Sequence, residues 1–251
     1  MFTRLLVGVD GSPQSDAALE QAVALARRFR SHLVVATVAE RAEAAAAAAT
    51  LLERAHFRVL AAGLSTDAVQ REGPPDLALA ELAKDVDAAL VGRRGVRTER
   101  AGPTAIGRTV AALIRLAERC VIVCGGALSP MRACAVAFDG RNHRALELAA
   151  RFASVADSTV HVIHACRDRD DGARILGQAE AELSLLGVRF QTYLEEGGTA
   201  EVVARVVRAI RADALFAGAH VPRGPGDRRP SVASHTEDIL LHTDLPVAIQ
   251  P

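Results

Sequence analysis

The sequence predicts an α/β fold of two consecutive domains, each with a parallel sheet, and three observations predict it. Short apolar runs bounded by turn residues alternate with stretches of helical spacing. The runs are continuously apolar rather than alternating, as befits strands buried on both faces by helices. The order of elements is also written twice: Gly92 to Gly218 and Val121 to Val247 share one offset of about 126 residues, too long for a solenoid repeat. The expected domains are residues 1–126 and 131–251, each a five-stranded sheet with helices on both faces.

In the first copy "RLLVGV", residues 4–9, reads as a strand closed by Asp10-Gly11-Ser12-Pro13. Ser12 is placed to cap a helix over "SDAALEQAVALARRF", and Pro13 suits its first turn, where a missing N–H costs nothing. A strand "HLVVATV", a helix from about Glu40 to Ala55 and a strand "FRVLAA" are expected next. Gly73-Pro74-Pro75 turns the chain into helix "DLALAELAKD", strand "AALVG", an arginine-rich loop, helix "GRTVAALIRLAE" and strand "CVIVC".

After the linker "GGALSP", residues 125–130, the same order resumes with strand "CAVAF" closed by Asp139-Gly140 and helix "ALELAARFASVA". Strand "TVHVIHA", a helix from about Ala173 to Leu186 and strand "VRFQTYL" follow. Gly197-Gly198 opens helix "TAEVVARVVRAI". Strand "ALFAG", a second irregular loop, helix "ASHTEDILLH" and strand "PVAIQ" complete the copy.

Composition narrows the function. The 30 basic and 30 acidic side chains balance, so no global field gathers nucleic acid or an anionic membrane. Lys84 is the sole lysine, which removes a P-loop of the G-x-x-x-x-G-K type. Cys120, Cys124, Cys134 and Cys166 include no C-x-x-C pair, and Cys120 and Cys124 fall in an apolar run where cysteine behaves as a small hydrophobe. The start "MFTRLLVGVDGS" leads straight into a strand without the form of a signal peptide, and no apolar stretch reaches membrane-spanning length, so a cytoplasmic protein is expected.

Parallel sheets take ligands beyond the carboxyl ends of their strands, where the strand order reverses. In the first copy those ends carry Asp10 and Gly11, Val38, and the loop from Gly92 to Gly107. Glycine at 92 and 95 lets backbone approach a ligand, and Gly107, Arg108 and Thr109 begin a helix whose first N–H groups are unpaired. Together they describe an anion cradle suited to a nucleotide triphosphate, with Asp10 placed to accept from ribose or base. Arg93, Arg94, Arg97, Arg100 and Arg108 add cationic groups. The same residues also read as turn punctuation, a solvated loop and a helix cap, and spacing alone leaves both readings open.

With "VGVDGS", "GPPDLALAELAKDVDAALVGRRG" and "GRTVAALIRLAERCVIVC" in this order, the first copy resembles the universal stress protein domain. "VAFDG", "GGTAEVVARVVRAIRADALFAG" and "ASHTEDILLHTDLPVAI" extend the resemblance to the second, so the chain looks like a tandem pair. The resemblance implies two Rossmann-like (HUP-type) domains, a role in stress response, and ATP, with or without Mg2+, as ligand. Carried over residue by residue, it implies that Asp10, with Gly11 beside it, meets adenosine and that Val38 lies beside adenine. Gly92, Arg93 and Gly95 then line ribose and phosphates, and Gly107, Arg108 and Thr109 receive the phosphate tail.

ATP-binding members carry G-x-x-G, nine residues, then glycine followed by Ser or Thr; here eleven residues separate Gly95 from Gly107, and Arg108 precedes Thr109. At the matching positions of the second copy, Asp139, Gly218, Val221, Ala233 and Ser234, two glycines have become valine and alanine, so that site reads as degenerate. The resemblance also implies a pseudo-dimer of the two domains through their last strands, and room for a homodimer.

No acid–base pair or nucleophile elbow stands out, and "GVDGS" is not G-x-S-x-G. His32, His56, His161 and His164 read as core or surface histidines, while His220 and His235 flank the second loop. Three functions follow: a stress protein binding ATP in its N-terminal half, with at most slow hydrolysis; an interaction module without nucleotide; and an enzyme on the same framework, disfavoured by the missing groups.

Overall fold

The computed structural model describes residues 2–96, 106–219 and 233–251, with side chains from 236 onward in the last stretch. The chain divides into two compact units, Met1–Leu128 and Ser129–Pro251.

The first unit runs β1 (Arg4–Gly8), α1 (Pro13–Phe29), β2 (His32–Ala39), α2 (Ala45–Ala61), β3 (Thr66–Glu72), α3 (Pro75–Ala83), β4 (Ala88–Gly92), α4 (Arg108–Leu116) and β5 (Cys120–Cys124). A short 3-10 turn, Ala42–Ala44, precedes α2. The strands stand in the order β3-β2-β1-β4-β5, every neighbouring pair parallel. The chain moves outward from β1 to β3, then returns to the other side of β1 for β4. The carboxyl ends of β1 and β4 therefore frame the switch point, where connections leave in opposite directions.

Local sequence explains the elements that frame it. Leu5, Leu6 and Val7 of β1 and Ala88, Ala89 and Leu90 of β4 are buried, as central strands of a parallel sheet require, and the whole of β5 is buried too. Ser12 caps α1 by accepting from the Ser15 N–H at 3.1 Å, and Pro13 occupies the first turn. Arg30 ends the helix in the left-handed region, its N–H donating to the Ala26 carbonyl.

One expected strand is corrected. "FRVLAA" is helical: α2 runs through Phe57 and Leu60 to Ala61, and the third strand is the polar segment Thr66–Glu72. Helix propensity sustained from the alanine run carries through the β-branched and aromatic residues, and Phe57 and Leu60 are left exposed. β3 is an edge strand with a half-solvated face, so it needs no apolar run.

The second unit contains β6 (Cys134–Ala137), α5 (His143–Ala156), β7 (Thr159–Cys166), α6 (Arg169–Leu185), β8 (Arg189–Glu196), α7 (Thr199–Ala209), β9 (Ala214–Gly218), α8 (Ala233–His242) and β10 (Val247–Gln250). Its strand order, β10-β9-β6-β7-β8, is again all parallel. Helix α6 starts at Arg169, ahead of the expected Ala173, because Asp168 caps it through the N–H groups of Asp170 and Asp171.

Both units use one device at the amino-terminal end of the central strand. An Asp87 oxygen accepts from the N–H groups of Thr3 and Arg4, and an Asp213 oxygen from those of Arg132 and Ala133. Each aspartate sits just before the fourth strand of its unit and holds the entry of the first.

Candidate functional site

At the carboxyl end of β1, Asp10 and Gly11 form a tight turn. One Asp10 carboxylate oxygen accepts from the Ser12 N–H at 3.0 Å, and Gly11 adopts a φ of +81°, a conformation that glycine takes without strain. The other oxygen accepts from the Val96 N–H at 3.2 Å, which draws the loop after β4 across the turn. A Cβ at Gly95 would lie 2.4 Å from that oxygen, so the closeness of loop and carboxylate depends on glycine there.

The start of α1 grips the same loop. Ser12 Oγ donates to the Arg94 carbonyl at 3.3 Å, and the buried Gln14 side chain accepts from the Arg94 N–H at 2.7 Å. Gly92 presses β4 onto this helix: an added Cβ would sit 2.6 to 2.8 Å from backbone atoms of Gln14 and Ser15. The glycine expected to face a ligand thus has a packing reason of its own. Arg93 is buried, and its N–H continues the sheet ladder to the Cys124 carbonyl at 3.0 Å.

Gly107 caps α4 without a side chain, its N–H donating to the Arg93 carbonyl at 2.9 Å. A Cβ on Gly107 would come within 3.3 Å of that carbonyl and 3.6 Å of Gly95 N, so Gly107 lies against the 93–95 loop. Arg108 is exposed and Thr109 half-buried at the first turn of this helix. Val38 lies on β2, two residues beyond Ala36, the partner of Gly8 at the end of β1. Asp10, Gly11, Gly92, Arg93, Gly95, Gly107, Arg108 and Thr109 thus gather at the ends of β1 and β4, with Val38 on the flank. Arg97 and Arg100 lie outside the described residues.

Sequence reading missed Ser12 and Gln14 as holders of the loop. Ser12 was visible only as a helix cap, and nothing local to "SPQS" signals a contact with Arg94.

In the second unit the turn is repeated: Asp139 accepts from the Arg141 N–H at 3.0 Å, and Gly140 has a φ of +83°. The cap is different. Asn142 Oδ1 accepts from the Ala145 N–H at 3.2 Å, while its Nδ2 donates to the Gln250 carbonyl at 2.7 Å. This side chain lies where a Cβ on Gly218 would point, 2.3 Å from Asn142 Cβ. Val221, His220, Arg223, Arg228 and Arg229 lie outside the described residues, and the side chains of Ala233, Ser234 and His235 are not described.

The buried thiols behave as expected from their apolar runs. Burial pushes Cys120 up to about 12, and it does the same to Cys124 against the opposing charge of Arg93. Among the described residues, no group of three metal-ligating side chains is assembled, and no helix is long and apolar enough to cross a membrane.

Two successive α/β units, each with a five-stranded parallel sheet and a glycine-bearing turn at its switch point, define a tandem Rossmann-like protein. The chain belongs to the universal stress protein family, whose family model matches residues 1–125. Across nearly its whole length it is similar to a universal stress protein from Archaeoglobus fulgidus DSM 4304, at 18% identity and a TM-score of 0.80, covering 98% of this chain and 95% of that one. It is also similar to a functionally unknown protein, PA1789, from Pseudomonas aeruginosa PAO1, at 19% identity and a TM-score of 0.75, covering 99% and 92%. A third solved structure, a universal stress protein in complex with cAMP, is 23% identical and covers 50% of this chain and 99% of its own at a TM-score of 0.41. No curated protein sequence matches the chain.

Proposed function

We propose that the chain is a cytoplasmic stress-response protein whose N-terminal unit binds ATP, with or without Mg2+, as a regulatory or slowly hydrolysed ligand. The observation that carries this reading is the start of α4. Gly107 supplies no capping side chain, so the first-turn N–H groups and the positive end of the helix face the 93–95 loop at the switch point. The backbone of Gly92–Gly95 then lines the phosphates, Arg108 and Thr109 take the tail, and Val38 flanks the base. Asp10 receives the ribose hydroxyls in exchange for Val96.

Isothermal titration of ATP into the whole protein tests the reading. One ATP per chain is expected, with binding lost in Gly95→Val, whose added carbon atoms meet Asp10. Absence of heat at millimolar ATP overturns it.

A second reading has an observation of its own. Both Asp10 oxygens already accept from backbone N–H groups, which favours a protein-interaction module that uses no nucleotide. In that case the loop is a fixed surface, and Gly95→Val alters partner binding and not nucleotide affinity.

A further inference from the structure

At the opposite, amino-terminal end of the first sheet, β2 and β3 bring together three side chains that neither the fold nor the nucleotide reading uses. His32 Nε2 stands 2.9 Å from Asp67 Oδ2, and His32 Nδ1 stands 2.8 Å from Ser65 Oγ. The ladder makes this alignment. Leu33 pairs with Thr66, the Leu33 N–H donates to the Ser65 carbonyl at 3.0 Å, and Ser65 and Asp67, two apart on an extended segment, project to one side. The imidazole of His32 lies between them.

Donor and acceptor roles follow from chemistry. A carboxylate only accepts, so Nε2 carries the hydrogen shared with Asp67; in the neutral ring Nδ1 then offers its lone pair, and the Ser65 hydroxyl donates to it. Arg4 Nη2 also reaches Asp67 Oδ2, at 3.2 Å, and helps to fix the carboxylate. Ser65 is exposed and the His32 side chain is 29% exposed, so the hydroxyl is open to a reagent while the base is partly sheltered. The matching register positions of the second unit are Thr159, Arg189 and Gln191, which cannot form such a chain.

We propose that Ser65 is an activated nucleophile, with His32 as its general base and Asp67 as the positioning residue. Its substrates are reactive acyl or phosphoryl compounds with a good leaving group. Ser65 Oγ bonds to the electrophilic centre, its proton passes to His32 Nδ1, and the bond to the leaving group breaks. His32 then returns the proton to the leaving group or to solvent. With an ester, the same base activates water to release the acid and restore the hydroxyl. Because the site is open, charge on the developing oxyanion is met by solvent, which is why the leaving group must be good.

The test is labelling of the full chain with an alkyl fluorophosphonate, the adduct located by mass spectrometry and its rate measured against reagent concentration. An adduct on Ser65 is expected, absent in Ser65→Ala. The maximal rate should be about 100-fold slower in His32→Gln, at the low end of general-base effects. Asp67→Asn should lower the same maximal rate without changing the half-saturating concentration, and Asp67→Glu should recover part of it. Unchanged thermal melting excludes a folding cause. No adduct on Ser65, labelling there no faster than at the exposed Ser184, or a maximal rate indifferent to His32→Gln or Asp67→Asn would overturn the proposal. ATP binding is not involved, so the outcome is independent of the nucleotide reading.

Discussion

Each unit has a five-stranded parallel sheet, a tight turn after its first strand and an entry lock, and the two differ at the cap of their first helix. In the first unit Ser12 and Gln14 point to the loop after β4 and hold it through both backbone groups of Arg94. In the second, Asn142 fills the space beside Gly218 and bonds to the Gln250 carbonyl, at the end of the last strand. A duplicated fold can thus keep the turn at its switch point while the helix cap beside it takes a different partner. Asp10 and Asp139 make the same turn, and the second Asp10 oxygen also reaches on to the neighbouring loop, through Val96.

The largest effects are expected where a glycine of either unit is filled. Gly92→Ala sets a Cβ against helix backbone, which cannot move aside, and should cost about 3 kcal/mol in chemical denaturation. Gly218→Ala meets Asn142 from its Cβ outward, which is no freer to move, and should cost a similar amount, much of it recovered when Asn142→Gly is added. Absence of coupling between Gly218 and Asn142 would dissolve the distinction between the two slots.

Next in size are the entry locks, which have the same two-amide geometry in both units. Asp87→Ala and Asp213→Ala should each lower stability by about 1 to 2 kcal/mol, through loss of charge-assisted bonds to two N–H groups. Burial pushes the Asp87 carboxyl up, but hydrogen bonds from the Arg4 and Thr3 amides and the Thr3 hydroxyl outweigh it and hold the group below its ordinary value. A carboxyl depressed in the folded state adds stability above its unfolded value, about 3.9, and loses it as pH falls through the folded one. The denaturation midpoint should therefore fall on acidification below about pH 4, and less steeply in Asp87→Asn.

The smallest effects sharpen the contrast between the caps. Ser12→Ala and Asn142→Ala should each cost about 1 kcal/mol as lost N-caps. Only Ser12→Ala should also weaken ATP binding, by releasing the Arg94 carbonyl. A matching change in Asn142→Ala, read by the same titration, would place the site elsewhere.

Much of the fold was legible because buried parallel strands write themselves as apolar runs. "AALVG", "CVIVC" and "ALFAG" coincide with β4, β5 and β9. The miss at "FRVLAA" shows the limit: an edge strand with a polar face leaves no such run, and an apolar stretch beside it took its place. The second copy held the correction, since α2 and α6 are both 17 residues long and the strand after α6 begins beyond a Gly turn. Of the candidate site, the turn at Asp10 and the glycines were readable, because backbone demands fix residue types. The bonds from Asp10 to Val96, from Gln14 to Arg94 and from His32 to Ser65 and Asp67 were not. Each joins residues 33 or more apart through side chains that any polar surface segment also carries.

The placement of the four cysteines gives the molecule a built-in gauge of its own opening. Cys120 and Cys124 are sealed inside the first unit, and Cys134 and Cys166 inside the second. With no thiol on the outside, alkylation by a membrane-permeant maleimide proceeds only through molecules that have come apart. The order in which the two pairs react then reports which half of the chain yields first under heat or oxidant.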